Sequence, residues 1–245
     1  MLNDDALYSN YIRREPHPRY VGFIRRWHRR LLSKGLSTLA PMTIGSVLEV
    51  GPGHGYFAEH CREQVLNYEF VDTSPAVFDK MGDLGFHGHL GTLESLSTEL
   101  GLFDMIWMSH VLEHAPSWVE ARSMVKSAVT HLKPGGALIV VSPDLLSWRR
   151  EFWNADWSHG YPTTVRITTQ LLDDVGLDCT YSAHHRNAQF SVIGRGLMAL
   201  LCLVPHRLID RVLTPSRYKT GDGFVYSWKA VFGWRQIFVC GLKKF

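Results

Sequence analysis

The sequence predicts an α/β protein built on a doubly wound parallel sheet, and three observations carry that prediction. From about Ser46 to Ser142 short apolar runs alternate with amphipathic ones, the rhythm expected when parallel strands are joined by long helical crossovers. The first apolar run ends in a cluster of glycines, Gly51, Gly53 and Gly55. The 245 residues are 45% hydrophobic and 20% charged, the balance of one globular domain, which excludes a disordered, collagenous or coiled-coil chain.

Taken in order, residues 1–45 form a basic arm. Arg13, Arg14, Arg19, Arg25, Arg26, Arg29, Arg30 and Lys34 face only Asp4, Asp5 and Glu15, while Val21, Ile24, Trp27, Leu31 and Leu32 recur at helical spacing. An amphipathic helix covering the domain is the economical reading. The domain itself occupies 46–245. Its expected strands are Ser46 to Val50, Tyr68 to Asp72, roughly His87 to Gly91, Met105 to Ser109, and Ala137 to Ser142. Ser117 and Glu120 have capping-box spacing, so a helix is expected from Trp118 to about His131, ended by Lys133-Pro134-Gly135-Gly136. A further helix is expected over Thr169 to Val175, with Thr168 as N-cap and Gly176 beyond its end. Two last strands follow, Asp178 to Ser182 and Gln236 to Leu242, separated by an insertion at about 190–233.

The formal charge of +3 is too small to imply nucleic acid by itself, so any basic function must be local. Cys61, Cys179, Cys202 and Cys240 show neither zinc-knuckle nor disulfide-framework spacing, which points to a reducing, cytoplasmic setting. The amino terminus opens on Asn3, Asp4 and Asp5, so no secretory leader is expected and the chain is read as mature. The longest apolar run, Leu197 to Val204, is too short to span a bilayer.

The richest local signal is Val47-Leu48-Glu49-Val50-Gly51-Pro52-Gly53-His54-Gly55-Tyr56-Phe57, a buried strand entering a glycine turn and then a helix. Gly51 permits the sharp turn, and Gly53 and Gly55 remove side chains that would keep a ligand from the amides at the helix start. Asp72, 21 residues after Gly51, ends the next strand, where a carboxylate can accept both hydroxyls of a ribose. Tyr56 stands where a dinucleotide fingerprint needs its third glycine. The G-x-G-x-G spacing preceded by an acid instead resembles motif one of class I S-adenosylmethionine-dependent methyltransferases. Phe103 to His114 resembles that family's fourth strand and the segment after it, and Leu132 to Ile139 its fifth-strand entrance.

The resemblance implies a Rossmann-like seven-stranded sheet, S-adenosylmethionine as cofactor, and a cofactor site carried by Glu49, Gly51, Gly53, Gly55, Asp72, Ser109 and His110. Where many members place an acid near the adenine, this chain reads Gly91-Thr92-Leu93-Glu94, which leaves Thr92 and Leu93 as candidates. Methyl transfer from a sulfonium is an in-line displacement needing alignment and desolvation above all. A hydroxyl acceptor also needs a base, for which His159, in Asp156-Trp157-Ser158-His159, and His114 are the candidates, each with a structural hydrogen-bonding role as the alternative. Trp148, Trp153 and Trp157 either wall the acceptor pocket or pack beneath the insertion.

His110-Val111-Leu112-Glu113-His114 also matches the H-x-x-E-H zinc-hydrolase pattern, but that chemistry requires a helix, and here the pentad follows a strand; no metal is expected. Leading is a metal-independent methyltransferase acting on oxygen or nitrogen of a small molecule or a glycan- or lipid-linked precursor. An RNA methyltransferase using the arginine-rich arm, and a non-catalytic cofactor-binding protein, are the alternatives; against RNA, Ser109-His110-Val111-Leu112 stands where an N/D-P-P-Y/F signature would lie. In the insertion, Pro205 divides Leu197–Val204 from Arg207, Leu208, Ile209, Arg211, Val212 and Leu213. The expectation is a covering helix with solvated arginines, and the alternative is a peripheral membrane contact aided by the arm.

Overall fold

The computed structural model describes residues 18–40, 42–96, 100–186, 200, 203–214 and 223–244. Its elements are α1 (Pro18–Thr38), β1 (Ser46–Val50), α2 (Tyr56–Glu63), β2 (Asn67–Asp72), α3 (Pro75–Asp83), β3 (Gly88–Leu90), β4 (Phe103–Ser109), α4 (Trp118–Thr130), β5 (Leu132–Pro143), α5 (Leu145–Trp148), α6 (Glu151–Ala155), α7 (Val165–Asp174), β6 (Leu177–His185), α8 (His206–Leu213), α9 (Phe224–Trp228) and β7 (Gln236–Lys243). The seven strands lie in the order β3-β2-β1-β4-β5-β7-β6. The first five run parallel, and β7 is inserted antiparallel between β5 and β6. The order reverses at β1 and β4, so the carboxyl ends of these two strands open a crevice.

Alternation along the strands builds a core on each face. Leu48, Ile106, Met108, Leu138 and Val140 point to the side covered by α4 and α7. Val47, Met105, Trp107 and Ile139 point to the other, covered by α1, α2 and α3. The amphipathic arm helix is therefore a true layer of the fold: Trp27, Leu31 and Leu32 are buried, and Gly35 lets α1 settle on Trp107 and Ile139, where an added Cβ would come within 3.2 Å and 3.0 Å. Two of the arm's arginines are committed on the surface, Arg25 to Glu59 and Arg29 to Glu63, both at 3.0 Å. Arg13 and Arg14 lie outside the described residues.

Several boundaries differ from expectation for identifiable reasons. β5 begins at Leu132, because Leu132 pairs with Phe103 before residues 133–136 bulge out and pairing resumes at Ala137 with Met105. The bulge folds tightly on itself, with Gly135 at φ 74°. α7 is capped by Thr164, whose hydroxyl accepts from Ile167 N at 3.1 Å; Thr168 lies buried inside the helix. The Ser117 cap of α4 is as expected, accepting from Val119 N and bonding Glu120. Much of 190–233, including Leu197 to Ala199, Leu201 and Cys202, lies outside the described residues. In the described part Pro205 immediately precedes α8, but Leu208, Val212 and Leu213 are exposed, so the expectation that this helix buries its apolar stripe is corrected. Cys61, Cys179 and Cys240 are free thiols. Among the described residues no helix is long and apolar enough to cross a membrane.

Candidate active site

A cavity of about 1220 Å³ opens over the carboxyl ends of β1 and β4. Its floor is the glycine turn. Gly51 and Gly53 adopt left-handed φ values of 68° and 54°, and a Cβ on Gly51 would sit 2.8 Å from Val111 Cγ2. Gly55 serves differently from expectation. It is the left-handed N-cap of α2 and does not line the cavity; its missing Cβ makes room for Met81.

Two carboxylates face this space. Glu49 is buried, and burial first, then the nearby Asp72 charge, push it up to about 8 against the opposing 2.5 Å bond from the Tyr68 hydroxyl. Asp72 is pushed up to about 6 by burial, opposed by the amides of Ser74 and Thr73. The same cavity is lined by Ser109, Trp27 and His28, and Ser109 Oγ, Trp27 Nε1 and His28 Nδ1 are all buried without a protein partner. A bound cation would favour ionisation of these buried acids, and the polar atoms lacking partners suit a hydrogen-bonding ligand. Thr92 and Leu93 also line the cavity, in a turn tied by Thr92 N to Ser95 Oγ (2.9 Å) and Ser95 N to Thr92 Oγ1 (3.0 Å), and Glu94 lies beside them. Ile24, Trp27 and His28 of α1 add a wall that the sequence reading did not assign; an aromatic and a histidine on the buried stripe of the arm were the available signal. Burial, then the His110 and His60 charges, hold His28 down to about 3, so it is neutral at physiological pH.

Beyond this end, the segment after β4 and the loop after α6 meet. His110 takes a left-handed φ of 58°, rare for a side chain with a Cβ, while its amide remains bonded to Val141 O at 2.8 Å. Glu113 follows, fully buried. Ser142 Oγ donates to its Oε2 at 2.7 Å, and His110 Nδ1 lies 3.2 Å from Oε1. Burial would raise this carboxyl, but the His110, His114 and Ser142 interactions outweigh it and hold it down to about 2. The Glu113 carbonyl accepts from Gly160 N (2.9 Å) and Tyr161 N (3.1 Å), which seats the Asp156–Tyr161 loop and brings the rings of His159 and His114 to 4.9 Å.

The protons around these rings can be placed. Ser158 Oγ donates to Asp156 Oδ1 at 2.7 Å, so it accepts from His114 Nδ1, also at 2.7 Å. His159 Nδ1 donates to the Phe152 carbonyl at 2.5 Å. With Nδ1 donating in each ring, Nε2 is the atom left to accept a proton, and burial, the largest influence on His114, lowers its pKa. The H-x-x-E-H zinc-hydrolase reading fails on geometry: Leu112–His114 is a single 3-10 turn after a left-handed His110, so the two histidines do not share a helix face. Of the tryptophans, Trp148 lines the cavity and packs against Trp234 with the rings tilted by 40°, whereas Trp153 and Trp157 lie outside its wall, Trp157 at 74% exposure.

Gly160 is a close crossing of the two segments, since a Cβ there would lie 2.6 Å from the Ala115 carbonyl oxygen. Gly160→Ala is expected to cost about 1–3 kcal/mol and lower Tm by roughly 2–12 °C. Thermal unfolding of the two proteins checks this, and an unchanged Tm would mean that the loop is not held by this crossing.

The sheet order, the glycine turn and the acid ending β2 define the architecture of class I methyltransferases. A family model described as a methyltransferase domain matches residues 24–182, and the chain belongs to that family of S-adenosylmethionine-dependent enzymes. Its fold is similar to that of the N-methyltransferase NodS from Bradyrhizobium japonicum in complex with S-adenosylhomocysteine, with a TM-score of 0.62 and 17% identity over 98% of each chain. It is also similar to the plantazolicin methyltransferase BpumL in complex with S-adenosylhomocysteine, with a TM-score of 0.60 and 14% identity, covering 99% of this chain and 91% of that one. A S-adenosylmethionine-dependent methyltransferase from Archaeoglobus fulgidus gives 0.59 at 15% identity, covering 89% and 94%. In sequence, the chain is 34% identical over 121 residues to the ribosomal RNA small subunit methyltransferase C of Cronobacter sakazakii, 46% of this chain. The match spans about a third of that relative's length, 35%.

Proposed function

We propose that the enzyme methylates an oxygen or nitrogen of a small molecule or of a glycan- or lipid-linked precursor, with no metal in the transfer step. The observation that carries this reading is the far end of the cavity, where His114 and His159 stand side by side with their Nδ1 protons already committed. S-adenosylmethionine supplies the electrophilic methyl group. Glu49 and Asp72 would hold its amino-acid and ribose ends, Ser109 and His110 would border the methionine, and Thr92 and Leu93 the adenine. The chain's contribution to chemistry is then alignment, exclusion of water and, for a hydroxyl acceptor, proton removal at an imidazole Nε2.

An RNA substrate is the second reading, supported by the name of the Cronobacter sakazakii relative. Against it, Arg25 and Arg29, two of the arm's basic groups, are paired with acids of α2. Radiolabelled S-adenosylmethionine incubated with cell extract, with and without nuclease, tests the two. Label is expected in nuclease-resistant, extractable small molecules, and nuclease-sensitive label would replace this reading with the RNA one. With a hydroxyl acceptor in hand, His114→Ala is expected to lower turnover about 10²–10⁴-fold while leaving S-adenosylhomocysteine affinity within about twofold. A fall in both would make His114 a structural residue.

Glu113, His114 and His159 each offer one ligand atom within 4.8 Å of the others, so the metal-free reading needs its own test. Elemental analysis of purified protein is expected to show well below about 0.1 equivalent of zinc or manganese. Stoichiometric metal that disappears in His159→Ala would overturn the metal-free step.

A further inference from the structure

Helix α8 is amphipathic the wrong way round for a protein surrounded by water. Its acid, Asp210, is 1% exposed and accepts from Val225 N (2.7 Å) and Tyr226 N (2.9 Å), capping α9 from beneath. Gly223 makes this possible, since a Cβ there would lie 2.2 Å from Asp210 Cγ. With the acid fixed inward, Leu208 and Val212, one turn apart, are 64% and 78% exposed. Leu203 before the helix, Leu213 at its end and Phe224 beyond it are exposed as well. Arg207 and Arg211 each precede one of the aliphatic pair and both are exposed; Arg207 is paired with the buried Glu151, so Arg211 is the cation that faces outward beside the apolar stripe with no ion pair among the described residues. Side chains of a soluble helix sort in the opposite sense.

The geometry points to an anionic lipid surface as the occupant of this face, with α8 lying in the headgroup region. Charge complementarity argues for it: Arg211 at headgroup level beside leucine and valine reaching the acyl boundary is the arrangement of an interfacial helix. The apolar part of the patch argues against a protein partner, because it is Leu and Val apart from Phe224, and Leu and Val are under-represented among the anchors of protein interfaces. The face also connects to the acceptor end of the cavity. Arg207 bonds Glu151 Oε1 at 2.9 Å, and the next residue, Phe152, holds His159 through its carbonyl. We therefore infer that the acceptor is an amphiphile resident in the bilayer; this second step rests on the methyltransferase reading above, whereas the docking step does not.

Flotation of the full chain with vesicles of phosphatidylcholine alone, or of phosphatidylcholine mixed with phosphatidylglycerol, tests the docking step. The protein is expected to float with the mixed vesicles at low salt and to be released by high salt. Leu208→Ser with Val212→Ser, and separately Arg211→Glu, are each expected to reduce bound protein about tenfold or more. These side chains are exposed, so thermal unfolding and S-adenosylhomocysteine binding should not change. Absence of flotation by the unaltered chain, or equal flotation by the variants, overturns the proposal. So does self-association in sedimentation velocity that the Leu208/Val212 variant abolishes, which would make the face an interface between copies. Flotation without S-adenosylhomocysteine binding would leave the docking surface standing and remove the methyltransferase reading. Label from the cofactor found only in water-soluble products would sink the bilayer-resident acceptor.

Discussion

Asp72→Ala is expected to weaken S-adenosylhomocysteine binding by about 100-fold or more, with the fold intact. The carboxylate lines the cavity, ends β2 and is oriented by the Ser74 amide at 2.8 Å. Two charge-assisted hydrogen bonds to a ribose, at about 1.5–3 kcal/mol each, account for a loss of that size. Because burial raises this carboxyl to about 6 in the free protein, its own contribution to affinity should be constant above that pH and fall about tenfold per unit below it, on top of the slope that Glu49 imposes up to about 8. Titration calorimetry between pH 5 and pH 8, approximate limits set by that value, checks both statements. A variant that binds as tightly as the unaltered enzyme would show that the ribose is held elsewhere, and the cofactor orientation adopted here would be wrong.

The second large effect is a trade between stability and binding at Glu49. Its folded pKa, about 8, lies far above the ordinary value of 4.5, so folding favours the protonated form. The stability this contributes is fully present below about pH 4.5 and is lost as pH rises through about 8. Glu49→Gln keeps an oxygen for the Tyr68 hydroxyl and removes the buried charge. At pH about 9 the variant is expected to be more stable by on the order of 3 kcal/mol, with a higher Tm and a flatter pH dependence, yet to bind S-adenosylhomocysteine at least about tenfold more weakly. Binding by the unaltered enzyme near neutral pH should release a proton, visible as a dependence of the calorimetric heat on the buffer's ionisation enthalpy. A Gln variant that is less stable at high pH would mean that the ionised Glu49–Tyr68 pair is itself stabilising.

How far the site could be read in advance depended on whether its residues were local. Gly51, Gly53 and Asp72 belong to one strand–turn–helix–strand unit whose conformation is dictated by neighbouring residues, and β1 was legible to its ends because Ser46–Val50 is flanked by Gly45 and Gly51. Gly55 was recognisable as a turn residue, but that its missing Cβ serves Met81 depends on a helix twenty-odd residues away. The same limit hid the start of β5, which is set by the pairing of Leu132 with Phe103, and the choice of Thr164 over Thr168 as a cap. It also hid Glu113, first met as part of a metal motif. Its function as the post joining the two halves of the acceptor end depends on Ser142, Gly160 and Tyr161, which come together only in the folded chain. The apolar stripe of α8 was visible, but its outward direction required knowing that Asp210 is claimed from inside.

Helix α1 is rooted at one end and merely tethered at the other. Leu31 and Leu32, with Leu39 just beyond the helix, anchor its carboxyl-terminal end in the core, whereas the half bearing Ile24 and His28 is held by Trp27, by the 2.8 Å hydrogen bond between His60 Nε2 and the Arg25 carbonyl, and by two ion pairs open to solvent. Exposed pairs of this kind contribute little in water and weaken with salt. Lifting that tip asks for the withdrawal of one indole and the loss of the His60 hydrogen bond but leaves the sheet untouched, so the rate at which spent cofactor leaves is expected to respond to ionic strength more than the chemistry beneath it does.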